Sequence, residues 1–313
     1  MGEGHLPVLV DEVLASLDVG SGSSLADCTV GGGGHAERLL EASSPDGRLL
    51  GLDADRAAIA EAQRVLARFG DRAVLRQANF EELYDVAASE RFMPLDGVLF
   101  DLGLSSYQLA DPRRGFSFAA ESAPDMRFDE AHGLSALDLI DRSSQRELAA
   151  ILGTFGEERR AGRIAKAILA ARAEGRLVSA ADLAQVVARA VPARGADAGR
   201  IHPATRTFQA LRMHVNDELG QLRRALDGAL QLLDVGGRLA VISFHSLEDR
   251  IVKQFIQSHS SVDPVYAGLP VIPDSAQPRM KRIGSKTRAG EAELAANPRA
   301  RSSVLRVATK VRA

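Results

Sequence analysis

The chain has 313 residues, 45% hydrophobic and 26% charged with a formal net charge of −2, which is ordinary for a soluble globular protein of one large or two smaller domains. No apolar run approaches the ~20 residues needed to cross a bilayer, and Met1–Pro7 lacks the basic-then-apolar pattern of a secretory signal, so a cytoplasmic protein without a membrane partner is expected. The single cysteine, Cys28, excludes an intrachain disulfide and a cysteine-based zinc cage, and no metal is expected.

Leu25–Val30 reads as a strand and His35–Glu41 opens a helix. Arg48–Asp53 is an apolar run ending in a carboxylate, and Arg56–Phe69 is amphipathic at helical spacing. Ala73–Ala78 and Leu95–Asp101 read as a third and a fourth strand. Strand alternating with helix predicts a doubly wound parallel α/β sheet, and near-continuous apolar strands fit burial on both faces. From about Ala110 to Gly133 the chain is rich in Pro, Gly, Ser and charge and reads as a long ordered loop. Ser135 to about Val191 is wholly helical in pattern, with a capping-box-like start at Ser179 and Asp182. A helix over about Val215–Leu233, a fifth strand over Gly237–Phe244, a helix over Leu247–His259, a Pro/Gly-rich stretch and a last strand over Ser303–Val311 follow. The expected organisation is a sheet domain from 1–134 and 206–313, interrupted by an inserted all-helical domain, 135–205.

Four consecutive glycines, Gly31–Gly34, follow the first strand. They remove every Cβ from the strand-to-helix turn, so a ligand can lie against the backbone. Asp53, twenty residues after Gly33, ends the second strand, where a carboxylate accepts hydrogen bonds from ribose hydroxyls. Gly31, Gly33 and Ala36 also fit a dinucleotide fingerprint, so the turn allows an NAD-type oxidoreductase or an S-adenosylmethionine (AdoMet) methyltransferase. His35 at the helix start, a sheet closing with a strand, a helix and a terminal strand, and Phe80 placed to cover an adenine favour AdoMet. Asp101 ends the fourth strand, at the carboxyl edge that lines the ligand crevice of such sheets. There a carboxylate, with the hydroxyls of Ser105 and Ser106, can hold an acceptor amine for in-line transfer.

Charge is distributed unevenly. Pro278–Ala313 carries ten Lys/Arg against two Glu, leaving −10 on the remainder, a pattern suited to a polyanionic partner.

Several long polar stretches carry a resemblance over nearly the whole chain. They are His5–Leu9, Gly33-Gly34-His35, Asp101–Ser106, Asp125–Asp129, Ile201–Arg212, Val215–Leu219, Ser243–Arg250 and Asn297–Ser302. In these the chain resembles the bacterial 16S ribosomal RNA cytosine-N4 methyltransferase family, known as RsmH or MraW. Phe128 and Pro124 depart mildly from the family pattern, and Asp101-Leu102-Gly103 stands where many other amino-methyltransferases carry a Pro-Pro-aromatic motif. The resemblance implies a Rossmann-like class I methyltransferase sheet with an inserted helical substrate-recognition domain. It further implies AdoMet held by Gly33, Gly34, His35, Asp53, Phe80, Asp101 and Gln108, and N4-methylation of a cytidine in the decoding region of 16S ribosomal RNA. The substrate would be met within the small ribosomal subunit. Asp101, Ser105, Ser106 and His245 are then the expected catalytic residues, and His202, Arg206, Arg212, Arg299 and Arg301 the expected RNA contacts. A methyltransferase on another RNA or DNA amine, the NAD-type enzyme, and a binding protein without turnover stay open as alternatives, as does a homodimer.

Overall fold

The computed structural model describes residues 7–105, 108–109, 111–191, 202–266 and 268–313. The chain divides into two compact units, one of Met1–Gly103 with Leu219–Ala313 and one of Leu104–Glu218. The sequence-based bounds, 135 and 205, fall inside the second unit.

The first unit is built on a seven-stranded sheet. Its strands are β1 (Ser24–Asp27), β2 (Arg48–Asp53), β3 (Ala73–Gln77), β4 (Leu95–Asp101), β5 (Leu233–Ser243), β6 (Met280–Thr287) and β7 (Val304–Lys310). The order is β3-β2-β1-β4-β5-β7-β6. β1 to β5 are mutually parallel, and β7 runs antiparallel to both β5 and β6. This is the doubly wound α/β sheet expected, with its order reversing between β1 and β4. β1, β2 and β4 are buried along most of their length, as parallel strands covered on both faces must be. β5 starts at Leu233, earlier than its apolar run suggests, and its pairing with β4 shifts register between Leu95 and Gly97.

Helices α1 (Val10–Leu17), α2 (Gly34–Ala42), α3 (Arg56–Leu66) and α4 (Leu83–Ser89) accompany the first four strands. One core cluster joins Val13 and Leu17 of α1, Leu39 and Leu40 of α2, Ile59 and Leu66 of α3, and Leu25, Leu49, Leu99, Ile242 and Leu305 of the sheet.

In the second unit, Pro112–Arg114 forms a short 3₁₀ turn. Four helices follow: α5 (Ala136–Arg142), α6 (Gln145–Gly156), α7 (Ala161–Ala173) and α8 (Ala180–Ala190). Ser135, Ser144 and Ser179 cap α5, α6 and α8 through reciprocal bonds with Asp138, Glu147 and Asp182. Their apolar faces, among them Ile140, Leu148, Leu152, Ile164, Ile168, Leu183 and Val187, pack with Phe208 and Leu211 into a second core.

The helix expected over about 215–233 spans 218–232, and a separate helix precedes it. α9 (Thr205–Val215) ends at Asn216, and Asp217, at φ 46°, reverses the chain before α10 (Glu218–Leu232). After β5 come α11 (Ser246–His259) and α12 (Glu291–Ala296), which precedes β7. No helix among the described residues is long and apolar enough to cross a membrane.

Candidate active site at the glycine turn

The turn after β1 is stitched to its neighbours by backbone bonds. Cys28 N–H donates to Leu99 O at 2.9 Å, Val30 N–H to Leu52 O at 2.8 Å, and Gly33 N–H to Val30 O at 2.8 Å. Gly33 sits at φ 90°, where a side chain is strained, and its missing Cβ faces Leu66, Ala62 and Val65 of α3 at 3.4–3.5 Å. At Gly34 a Cβ would come within 3.2 Å of the Pro7 ring. Gly33 is thus called for by its backbone angle and Gly34 by its close packing, besides an open approach for a ligand.

Three carboxylates converge on this turn. Asp53 at the end of β2 accepts from Gly31 N–H at 3.0 Å through Oδ2 and from Asp55 N–H at 2.9 Å through Oδ1. Asp27 at the end of β1 accepts from Thr29 N–H through Oδ1, while its buried Oδ2 has no hydrogen-bond partner among the described residues. Asp101 ends β4, its own N–H donating to Thr29 Oγ1 at 2.6 Å. Its Oδ1 is likewise buried without a partner among the described residues.

Crowding raises both of the last two acids. Burial pushes the Asp27 carboxyl up to about 7, against the pull of His35 and the Thr29 N–H, and repulsion from Asp101 and Asp53 adds to the rise. Burial and then Glu248 push Asp101 up to about 7 as well. His35, in the first turn of α2, is 6% exposed, and burial draws its imidazole below the ordinary value against the pull of Asp27, the Val8 carbonyl and Glu293.

The sign of this arrangement decides what it can hold. A pyrophosphate would bring two negative charges to a turn already lined by three acids. A cationic group would gain from them. The residues therefore fit a nucleoside cofactor bearing positive charge: a ribose at Asp53, and a cation near Asp27 and Asp101. Phe80, half-buried just beyond β3, stands edge-on to Phe100 with ring centroids 6.0 Å apart. Among the described residues no group of three or more His, Cys, Asp or Glu is arranged to hold a metal ion.

The raised acids give a pH dependence. Asp27 titrates near 7 in the folded chain and at 3.8 ordinarily, so between those values the fold holds a proton that the unfolded chain has lost. Its contribution to stability therefore falls as pH rises through that window and stays lost above it. Asp27→Asn removes this loss and keeps an acceptor for Thr29 N–H. The variant should gain thermal stability over the parent on going from about pH 5 to about pH 8. A melting difference that did not change with pH would mean that Asp27 holds no proton.

A family model described as the MraW methylase family matches residues 2–311. The chain belongs to this family. It is 50% identical over 303 residues to the ribosomal RNA small subunit methyltransferase H of Syntrophotalea carbinolica, covering 96% of each chain. To the protein of the same name from Halorhodospira halophila it is 50% identical over 311 residues, covering 98% of this chain and 94% of that one. A solved rRNA methylase from Streptococcus thermophilus aligns over 99% of this chain and 100% of that chain with 12% identity and a TM-score of 0.42, too distant to add to the assignment.

Of the stretches by which the chain resembles the MraW family, two meet for a structural reason. Asn216 Oδ1 accepts from Phe128 N–H at 2.7 Å, and its Nδ2 donates to Met126 O at 2.8 Å. Arg212, expected to contact RNA, is 6% exposed and turned inward. Its Nε and Nη2 donate to the two carboxylate oxygens of Glu218 at 2.7 and 2.8 Å. Arg212 is thus the buried partner of Glu218, a role hidden in the sequence because the chain reverses between them.

Ser105 and Gln108, both in the second unit, cap each other locally. Gln108 Oε1 accepts from Ser105 N–H at 3.0 Å, and Gln108 N–H donates to Ser105 Oγ at 3.2 Å. Ser106, like His5, Leu6 and Ile201 of the quoted stretches, lies outside the described residues. His245 is the N-cap of α11, where Glu248 Oε2 accepts from the Phe244 and His245 N–H groups at 2.9 and 3.1 Å. His202 is exposed in the second unit and stacks on Phe118 at 4.7 Å between centroids, its Nδ1 accepting from Ala204 N–H at 3.1 Å. Arg206 is exposed one turn further on. Arg299 and Arg301 are exposed on the 3₁₀ turn Pro298–Ser302 of the first unit.

Missed in the sequence reading was Thr29, whose hydroxyl holds the Asp101 backbone. Its β-branched side chain inside a glycine-rich turn was the available signal.

Proposed function

We propose that the chain transfers the methyl group of AdoMet to N4 of a cytidine in the decoding region of 16S ribosomal RNA, within the small ribosomal subunit. The observation that carries the methyl-transfer reading is the convergence of Asp27, Asp53 and Asp101 on the glycine turn, which suits a cationic nucleoside cofactor and disfavours a dinucleotide. The ribosomal substrate is supported by the relatives at 50% identity, named ribosomal RNA small subunit methyltransferase H. The base and its N4 atom come from the family resemblance of the sequence.

Bound AdoMet would supply an electrophilic methyl group on sulfur. The protein's part is placement, which carries most of the rate in such transfers. Gly33 and Gly34 would let the cofactor approach the backbone, Asp53 would accept from the ribose hydroxyls, and Phe80 would cover the adenine, with Gln108 the remaining cofactor residue. Asp101 Oδ1, an acceptor with no partner among the described residues, would hold an N4 hydrogen and aim the nitrogen lone pair. A paired or stacked cytidine cannot reach a buried methyl group, so the base must be flipped or already unpaired. The helical unit would recognise the substrate, with His202 and Arg206 on its surface and Arg299 and Arg301 on the other unit gripping flanking RNA.

The test is methyl transfer from labelled AdoMet to 30S subunits from a strain lacking the enzyme, followed by nucleoside analysis. Label on cytidine N4 is expected; label on any other atom would remove the assignment. For the RNA contacts, Arg206→Ala should weaken binding and make the salt dependence shallower by about one counterion, with no change in melting temperature. Unchanged RNA affinity would take Arg206 out of the interface.

A further inference from the structure

His35 makes two contacts that together fix a proton. Its Nε2 lies 2.8 Å from the backbone oxygen of Val8. A carbonyl only accepts, so Nε2 carries the hydrogen. Its Nδ1 lies 3.5 Å from Oδ2 of Asp101. In the neutral ring Nδ1 then presents a lone pair, and an ionised carboxylate presents another. Two facing lone pairs repel, and in a buried site water does not screen them, so a proton belongs between the two groups. It rests either on Nδ1, as imidazolium and carboxylate, or on Oδ2, as imidazole and carboxylic acid. Burial favours the uncharged form, drawing His35 down and Asp101 up. The proton then lies on Oδ2, facing Nδ1 across 3.5 Å. Oδ1 remains a buried acceptor with no partner among the described residues.

We propose that His35 and Asp101 form a proton relay, in which Asp101 takes the proton released by the methylated amine and hands its own to His35. The proposal rests on the methyl-transfer reading above. As methyl moves, the S–CH₃ bond breaks, the N–CH₃ bond forms, and the positive charge passes from sulfur to nitrogen. The N–H bond then breaks as Oδ1–H forms, while Oδ2–H breaks as Nδ1–H forms. Asp101 stays neutral from start to finish, and the charge ends on the His35 imidazolium. Two carboxylates wait there: Asp27 at the end of β1 and Glu293 on α12 both pull the His35 proton affinity upward. Glu248 in the first turn of α11 favours the proton on Asp101, and Asp53 at the end of β2 acts on Asp27. His35 is thus a positioning residue that reaches the substrate only through Asp101.

Selective ¹⁵N labelling of the seven histidines, with His35 assigned through His35→Gln, reads the proton directly in protein without cofactor or RNA. Expected at about pH 6, below the Asp101 value of about 7, is a protonated Nε2 with a hydrogen-bonded Nδ1. A bare Nδ1 lone pair opposite an ionised Asp101 overturns the relay. The kinetic arm uses saturating AdoMet. His35→Gln keeps an amide N–H for the Val8 carbonyl and removes Nδ1. Its kcat should fall about 100-fold near pH 5, two units below the Asp101 value of about 7. Without a relay, Asp101 must ionise before it can accept, so the variant's kcat should climb about tenfold per pH unit and level off above the Asp101 pKa. The parent should stay flat over that window. A variant with the parent's profile overturns the proposal. The resonance measurement needs no RNA, so it separates failure of the relay from failure of the 30S assay.

Discussion

Arg212→Ala is expected to destabilise the helical unit by about 3–5 kcal/mol, because it strands the Glu218 carboxylate in a buried site without its cation. Both side chains are below 10% exposed, and the guanidinium meets the carboxylate through two nitrogens. Both charges are largely shielded from solvent, so the loss is more than one hydrogen bond. Arg212→Lys should recover only part of it, since an ammonium cannot match the two-point geometry. Replacing both residues by apolar ones of similar volume should cost much less than removing either alone. The pair also fixes the turn at Asn216 that holds Met126 and Phe128, so the loop around Asp125–Asp129 should loosen with it. Urea denaturation of the three variants checks the ranking. A stable Arg212→Ala that lost only RNA affinity would return Arg212 to the interface.

The second large effect concerns Asp53. Asp53→Ala should weaken AdoMet binding about 100-fold, the equivalent of about 3 kcal/mol from two charge-assisted hydrogen bonds to the ribose. Asp53 also ties the turn to β2 through Gly31 and orients Asp55, whose side chain caps α3. Asp53→Asn retains the shape and one acceptor, so it should fall between parent and Asp53→Ala. Calorimetric titration with AdoMet measures the series. Equal affinity across it would place the ribose elsewhere.

The sheet was legible in the sequence where strands are buried on both faces. Leu49–Leu52 and Val98–Phe100 are apolar without interruption and could be little else. β6 escaped because it is an edge strand. Of Met280–Thr287 only Met280 is fully buried and only Ile283 is half-buried, and the rest is Lys, Arg, Gly, Ser and Thr facing solvent. α1 and α12 escaped because they are short, eight and six residues long. In the site, Asp53 and Asp101 were readable because strand ends fix where a carboxylate must emerge. The burial of Arg212 was not, since it depends on a left-handed residue at Asp217 that turns Glu218 back toward it. Nor was the Val8 carbonyl above His35, which comes from a segment outside the sheet.

That last contact sets when the protein can begin to act. Val8 holds His35, and the N–H of its neighbour Leu9 is held by Glu293 Oε1 at 2.7 Å, a bond spanning 284 positions. β7, the last strand, is also interior to the sheet, seated between β5 and β6. A chain without the segment that carries Glu293 and β7 can close neither the sheet nor the clasp over His35, so the site forms only once its two distant parts have met.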